Sequence, residues 1–148
     1  MERELPSTRD AYQYFTPIQT RWMDNDAYGH VNNVVYYSFF DTALTKFLIE
    51  RGLIGAGNDG PIGLVVSTQC QYFVPISFPS EVVIGLSVAA VGNSSVRYNL
   101  AAFENDALSA SAQGQFVHVY VTQDSRRPVA LPSGFQQKLI AGSDTNLV

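Results

Sequence analysis

The 148-residue chain has one cysteine, Cys70, two histidines and one tryptophan, and only 15% of its residues are charged. A lone cysteine excludes an internal disulfide and any cysteine-based zinc cluster, and allows a reducing compartment. Nine Lys and Arg against thirteen Asp and Glu leave a net charge of −4. A phosphate backbone is bound without regard to sequence by basic surfaces, so nucleic-acid partners are disfavoured. No apolar run approaches the roughly 20 residues that a membrane span requires. The opening Met1-Glu2-Arg3-Glu4-Leu5-Pro6 is acidic where a targeting peptide is basic, and no apolar stretch follows it, so a cytoplasmic protein is expected. Hydrophobic residues make up 46% of the chain, which excludes disorder and provides for one core. No repeat, low-complexity tract or shift in composition divides the sequence, so 1–148 reads as a single domain, with its core over about 17–132. The scarcity of charge also suggests surface hidden against another subunit.

Residues 1–16 read as a polar lead-in with an aromatic patch at Tyr12, Tyr14 and Phe15, and 17–23 alternate as a first strand. Asp24 to His30 are too polar and Gly-broken to continue it and form a loop. From Asn32 to Arg51 the period changes. Ser38, Asp41, Thr42 and Thr45 fall on one narrow polar stripe in an otherwise apolar segment, the pattern of a mostly buried helix. Asn32 or Asn33 can cap its start, and Gly52 stands where a terminating glycine belongs. Residues 53–60 are a Gly-rich loop. Four strand-like runs follow, at about 62–74, 81–92, 95–104 and 109–122, with turns at Asn93-Ser94 and over 104–107. Ser133 is placed to cap a short helix around 134–140, and 143–148 read as a polar tail.

One strand, one long buried helix and four consecutive strands are an α+β pattern. A long apolar helix needs a surface to cover it. An antiparallel sheet of about five strands curled around it supplies one, which is the hotdog fold. One helix leaves a sheet face and both edges open, so a homodimer or a dimer of dimers is expected.

The chemistry should sit at Asp24-Asn25-Asp26-Ala27-Tyr28-Gly29-His30, where two carboxylates immediately precede the N-terminus of the buried helix. The first amides of a helix lack intrahelical partners and its dipole is positive there, which suits an anion or oxyanion. Gly29 lets a substrate approach the backbone. A carboxylate beside such a hole can attack an acyl carbon or activate water.

The run Arg21-Trp22-Met23-Asp24-Asn25-Asp26-Ala27-Tyr28-Gly29-His30-Val31-Asn32-Asn33-Val34-Val35-Tyr36, followed by Phe39-Phe40-Asp41, resembles the 4-hydroxybenzoyl-CoA thioesterase-like branch of hotdog acyl-CoA thioesterases. Its members carry Asp-x-Asp-x-x-Gly-His-x-Asn-Asn ahead of the central helix. Weaker similarities lie at Tyr72-Phe73-Val74-Pro75, Val91-Gly92-Asn93-Ser94-Ser95, Arg127-Pro128-Val129 and Leu131-Pro132. Met23 stands where the family often has a small residue. The resemblance implies an acyl-thioester hydrolase active at a dimer interface, with Asp26 as nucleophile or general base and with amides near Gly29 to Val31 polarising the carbonyl. His30 would orient water or the carbonyl, or else pin the loop. Asp24, Asn32 and Asn33 are candidate substrate contacts whose plainer roles are turn and cap. Arg126 and Arg127, and more weakly Ser95 and Arg97, would meet the phosphates of coenzyme A. Tyr36, with Tyr37, Phe39 and Phe40, would line an apolar acyl pocket or simply be core. No metal and no bound cofactor is expected.

Other readings of Asp-x-Asp fare worse. A calcium loop of the EF-hand type needs ligands where Tyr28 and Val35 stand. A phosphotransferase of the haloacid dehalogenase type needs a doubly wound domain, and a metal hydrolase needs more than His30 and a mid-strand His118. A hotdog dehydratase wants Asp and His five apart, whereas His30 follows Asp24 by six and Asp26 by four. Asp41 lies about 15 Å along the helix from its start and cannot join Asp26 within one subunit. A hotdog domain that binds an acyl thioester or lipid without hydrolysing it is the non-enzymatic alternative.

Overall fold

The computed structural model describes residues 4–54 and 60–145, so most of the expected 53–60 loop lies outside the described residues, as does 146–148 at the end of the expected tail. The helix α1 spans Asn33–Glu50. Tyr36, Phe39, Phe40, Ala43, Leu44, Phe47 and Leu48 recur at three- and four-residue spacings and are all buried. Asn32 is its N-cap, accepting a hydrogen bond from the Val34 amide at 3.2 Å. The helix stops at Gly52, whose φ of +70° is costly for any residue with a Cβ. There the Leu53 amide donates to the Leu48 carbonyl and the Gly52 amide to that of Ile49, closing a Schellman motif.

Around α1 wraps a sheet of β1 (Tyr14–Gln19), β2 (Ile62–Tyr72), β3 (Glu81–Val91), β4 (Ser95–Glu104) and β5 (Ala112–Val121), in the order β1-β3-β4-β5-β2. All four pairings are antiparallel. This is the hotdog fold. Val82, Ile84 and Leu86 of β3, Val96, Tyr98 and Leu100 of β4, and Phe116 and Tyr120 of β5 face the helix in one core. β2 does not pair with β3 as a run of consecutive hairpins would imply. Residues 73–80 carry the chain across the sheet, and β2 becomes the far edge beside β5. Both expected turns, at Asn93-Ser94 and after Glu104, are present.

Three boundaries differ from the sequence reading. β1 is formed by Tyr14–Gln19 rather than 17–23, and Trp22–Asp24 turn instead into a short 3-10 helix. The lead-in is also ordered: Tyr12 packs on Phe103 of the outer sheet face at 5.9 Å, and Thr8 bridges to Ser109. At the other end α2 runs Phe135–Thr145, past the expected 134–140, with Gly134 rather than Ser133 immediately before its first residue. Among the described residues no helix is long and apolar enough to cross a membrane.

Among the described glycines, Gly114 of β5 leaves the least room for a side chain: a Cβ there would lie 2.0 Å from the Gln69 carbonyl oxygen of β2. Backbone cannot swing aside as a side-chain tip can, so Gly114→Ala should open the β2–β5 ladder. The expected loss is about 3 kcal/mol in urea unfolding; a loss below about 0.5 kcal/mol would show that the two strands can part without cost.

Candidate active site

The segment from Arg21 to Asn32 is fixed by its own polar groups. Asp24 is 1% exposed. Its carboxylate accepts from the Arg21 amide at 2.7 Å and from the Arg21 guanidinium at 2.8 Å, which closes a capping box on the 3-10 turn. The Asp24 carbonyl then accepts the Asn32 amide at 2.8 Å, and the Ile76 carbonyl accepts the Val31 amide at 2.7 Å. These two bonds tie the entrance of α1 to the preceding turn and to the crossing segment. Between them Asn25 bridges Val31, the Asp26 amide donates to the His30 carbonyl at 2.7 Å, and Gly29 takes φ +78° so that its amide reaches the Asp26 carbonyl.

Asp26 is half-buried at the tip of this loop. Its Oδ1 accepts from the Tyr28 amide at 2.8 Å and from the His30 amide at 3.3 Å, an Asx turn that orients the carboxylate. The His30 ring is exposed. The amides expected to polarise a carbonyl, those from Gly29 to Val31, are already in use: Gly29 bonds Asp26, His30 bonds the Asp26 carboxylate, and Val31 bonds Ile76. In the closed loop all three therefore have partners within the chain. At the helix start the Val34 amide is held by the Asn32 side chain and the Val35 amide by the Asn32 carbonyl. Among the described residues, this leaves the Asn33 amide, first in α1, as the donor not committed within the chain.

The aromatic face of α1 is packed against the sheet. Tyr36 is 3% exposed, packed edge-on against Tyr72 at 5.2 Å and Phe39 at 6.5 Å. Burial, with smaller contributions that include the Asp26 charge, pushes its hydroxyl up to about 12, so it stays protonated. Phe39 and Phe40 are core, and Tyr37 stacks on Phe116. The exposed apolar groups here are Trp22, Met23, Tyr28, Val34, Val74 and Phe78, to none of which the sequence reading gave a substrate contact. Trp22 meets Phe78 edge-on at 6.1 Å, and the Phe78 amide donates to the Asn25 side chain. No local signal ties 73–80 to 22–34, because only the tertiary structure joins them.

Arg126, Arg127 and Ser95 sit at the other end of the sheet. Ser95 pairs with Val119, and the Thr122 amide donates to the Arg127 carbonyl, next to where β5 ends. The Asp26 loop belongs to the end where Tyr72 pairs with Ala112 and the Tyr72 hydroxyl donates to the Asn33 carbonyl. The length of β5 separates the two ends, about 30 Å. Asp41 is exposed midway along α1, also apart from Asp26. Cys70 is half-buried, and burial pushes its thiol up to about 11, the behaviour of a small packing group. Among the described residues no three His, Cys, Asp or Glu are grouped to hold a metal ion.

The family described as the thioesterase-like superfamily matches residues 20–139. The crystal structure of the PA5185 protein from Pseudomonas aeruginosa strain PAO1 is 52% identical, covers 92% of this chain and 95% of its own, and superposes with a TM-score of 0.86. A thioesterase of Thermus thermophilus, solved in complex with coenzyme A and zinc, is 26% identical over 90% of this chain and 96% of its own, with a TM-score of 0.76. The uncharacterized protein YsmA of Bacillus subtilis strain 168 is 25% identical over 122 residues, 82% of each chain.

The geometry assigns Asp24 to holding the loop together. Asp24→Ala should destabilise the protein by about 1–3 kcal/mol, because the partly buried Arg21 amide and the guanidinium lose their acceptor. Chemical denaturation measures this directly, and an unchanged midpoint would mean that the 3-10 turn does not depend on the carboxylate.

Proposed function

The chain belongs to the thioesterase-like superfamily, and we propose that it is an acyl-CoA thioesterase of the 4-hydroxybenzoyl-CoA thioesterase-like kind, with Asp26 as its catalytic carboxylate. The observation that carries this reading is the Asp26 carboxylate itself. One oxygen is held by two loop amides, and the group sits on the loop that leads into a buried helix. A thioester carbonyl seated there would direct its oxygen at the Asn33 amide and the positive end of the α1 dipole. The second Asp26 oxygen would either attack the carbonyl carbon, releasing the thiolate and leaving an anhydride for water to open, or take a proton from water attacking the same carbon. Both routes end in a free acid and a free thiol and draw on water as the second substrate, so the reaction requires no bound cofactor. The coenzyme A held by the Thermus thermophilus neighbour is the thiol half that such a substrate would carry, and such substrates suit a cytoplasmic setting.

The same reading makes the active unit a homodimer joined along β2. This eleven-residue edge strand is mostly exposed, Val65 and Val66 included, and exposed edges of this kind recruit a second strand. Antiparallel pairing of β2 about a two-fold axis would lay the start of one copy's strand against the end of the other's. Arg126 and Arg127 of the partner subunit would then approach the Asp26 end of this one. The arginine of the loop itself, Arg21, is occupied by Asp24, so phosphate contacts are better drawn from across the seam.

Release of free thiol from short, long and aromatic acyl-CoA thioesters tests the main claim. Asn at position 26 still offers an oxygen to the Tyr28 and His30 amides, so Asp26→Asn should melt as wild type does while losing at least about a hundredfold in rate. Binding without turnover by the wild type would leave an acyl-thioester-binding protein instead. For the seam, the double variant Arg126→Ala/Arg127→Ala should raise KM about tenfold for acyl-CoA. It should leave the N-acetylcysteamine thioester of the same acid, which lacks phosphates, unchanged. An equal effect on both substrates would remove the arginines from phosphate binding.

A further inference from the structure

Among the described residues, the helix-facing side of β4 and β5 carries a pair of polar side chains that the Asp26 site does not use. Tyr98 on β4 is fully buried and His118 on β5 is 7% exposed. Their rings lie side by side, with centroids 5.4 Å apart and planes at 68°. Among the described residues, neither the Tyr98 hydroxyl nor either His118 ring nitrogen has a hydrogen-bond partner within the chain. Left dry, each such atom costs about 1–3 kcal/mol, and three on two neighbouring rings would be a heavy load for one core. Buried polar atoms without a protein partner are normally met by ordered water.

The chemistry of the pair fits that ligand. A phenol offers one donor and an acceptor, and a neutral imidazole offers one of each on opposite sides of its ring. Burial lowers the affinity of His118 for a proton, and the Asp41 charge opposes this only in part, so the ring is neutral at neutral pH. The surrounding elements bring little charge. β2 and β4 present Val65 and Val96 as the cross-strand neighbours of His118, β5 contributes Tyr120, and α1 contributes Asp41 from its polar stripe. An anion would be repelled by Asp41. A small neutral molecule that both donates and accepts satisfies all the groups together.

We propose that Tyr98 and His118 frame a buried hydration site beneath α1, in which ordered water bridges the Tyr98 hydroxyl and a His118 ring nitrogen and continues outward to Asp41. The site is separate from the Asp26 loop, since His118 is six residues along β5 from Ala112, about 20 Å. It does not depend on the thioesterase reading. It gives the middle of α1 a polar attachment to β4 and β5, beside the apolar packing of Phe40 on Phe116, and it gives Asp41 a role that its distance from Asp26 denies it in catalysis.

Two measurements on the full-length protein decide the matter. A high-resolution crystal structure of the wild type should show solvent density within hydrogen-bonding distance of both the Tyr98 Oη and a His118 nitrogen. Tyr98→Phe keeps the ring and deletes only the hydroxyl. If that hydroxyl is bonded to water, the melting temperature at pH 7 should fall by about 2–4 °C. If it is an orphan, its removal relieves a penalty and the melting temperature stays level or rises. Absence of density between the two groups, or a melting temperature that does not fall, overturns the proposal.

Discussion

Everything at the Asp26 end hangs on two backbone hydrogen bonds, from the Val31 amide to the Ile76 carbonyl and from the Asn32 amide to the Asp24 carbonyl. They are made by the last two residues before α1, so they fix where the helix axis begins and which way its first turn faces. α1 then has no freedom to slide along the sheet, because Phe40, Ala43 and Leu44 are fully enclosed against it. Asn32 caps the helix, and its neighbour Val31 is locked to a different part of the chain. The amide of Asn33 is therefore presented at one position relative to the Asp26 carboxylate. Such fixed placement of a dipole is what electrostatic stabilisation of a developing charge requires, since the protein does not have to reorganise at the moment of reaction.

The two carboxylates of the loop are only two residues apart, and the fold gives them opposite environments. Asp24 is enclosed and paired with Arg21. Its oxygens are taken up by the guanidinium and by a backbone amide, so it holds the turn together and is shut off from an incoming ligand. Among the described residues Asp26 has no cationic partner, and its hydrogen bonds come from neutral amides on one oxygen. By taking the arginine, Asp24 leaves the Asp26 charge unneutralised. The motif thus pairs one enclosed, ion-paired acid with one half-buried acid that has no cationic partner among the described residues.

Much of the fold was legible in the sequence, because α1 advertises itself. Its apolar spacing, its capping asparagine and its terminating Gly52 all agree on one element. The first strand was misplaced for a definite reason. Trp22 and Met23 extend the apolar alternation, so the pattern continues past Gln19, yet in the structure they are 74% and 72% exposed on a 3-10 turn. Alternation records apolar character and not the direction in which it points. Sequence spacing identifies the helix start but cannot show that Ile76, more than forty residues away, accepts the Val31 amide. The aromatic residues of α1 were ambiguous for the same reason. Tyr36 looks alike as a pocket wall or as core until Tyr72 closes over it.

The distribution of charge bears on assembly. A substrate carrying coenzyme A brings several phosphates, while the loop's own cation is neutralised and the exposed Arg126 and Arg127 lie a strand's length away. In a monomer those arginines and Asp26 could not serve one elongated ligand. Reversal of the edge strand about a two-fold axis brings opposite ends together without changing the fold of either copy. The exposed Trp22, Val34, Val74 and Phe78 beside the loop add apolar surface of the kind that a seam or a bound acyl group would cover. One architecture therefore relates three otherwise unconnected features: the bare β2 edge, the apolar rim around Asp26 and the cations at the far end of β5. On the proposed dimer, one copy would supply the carboxylate and the helix terminus, and the other the charge that holds the thiol.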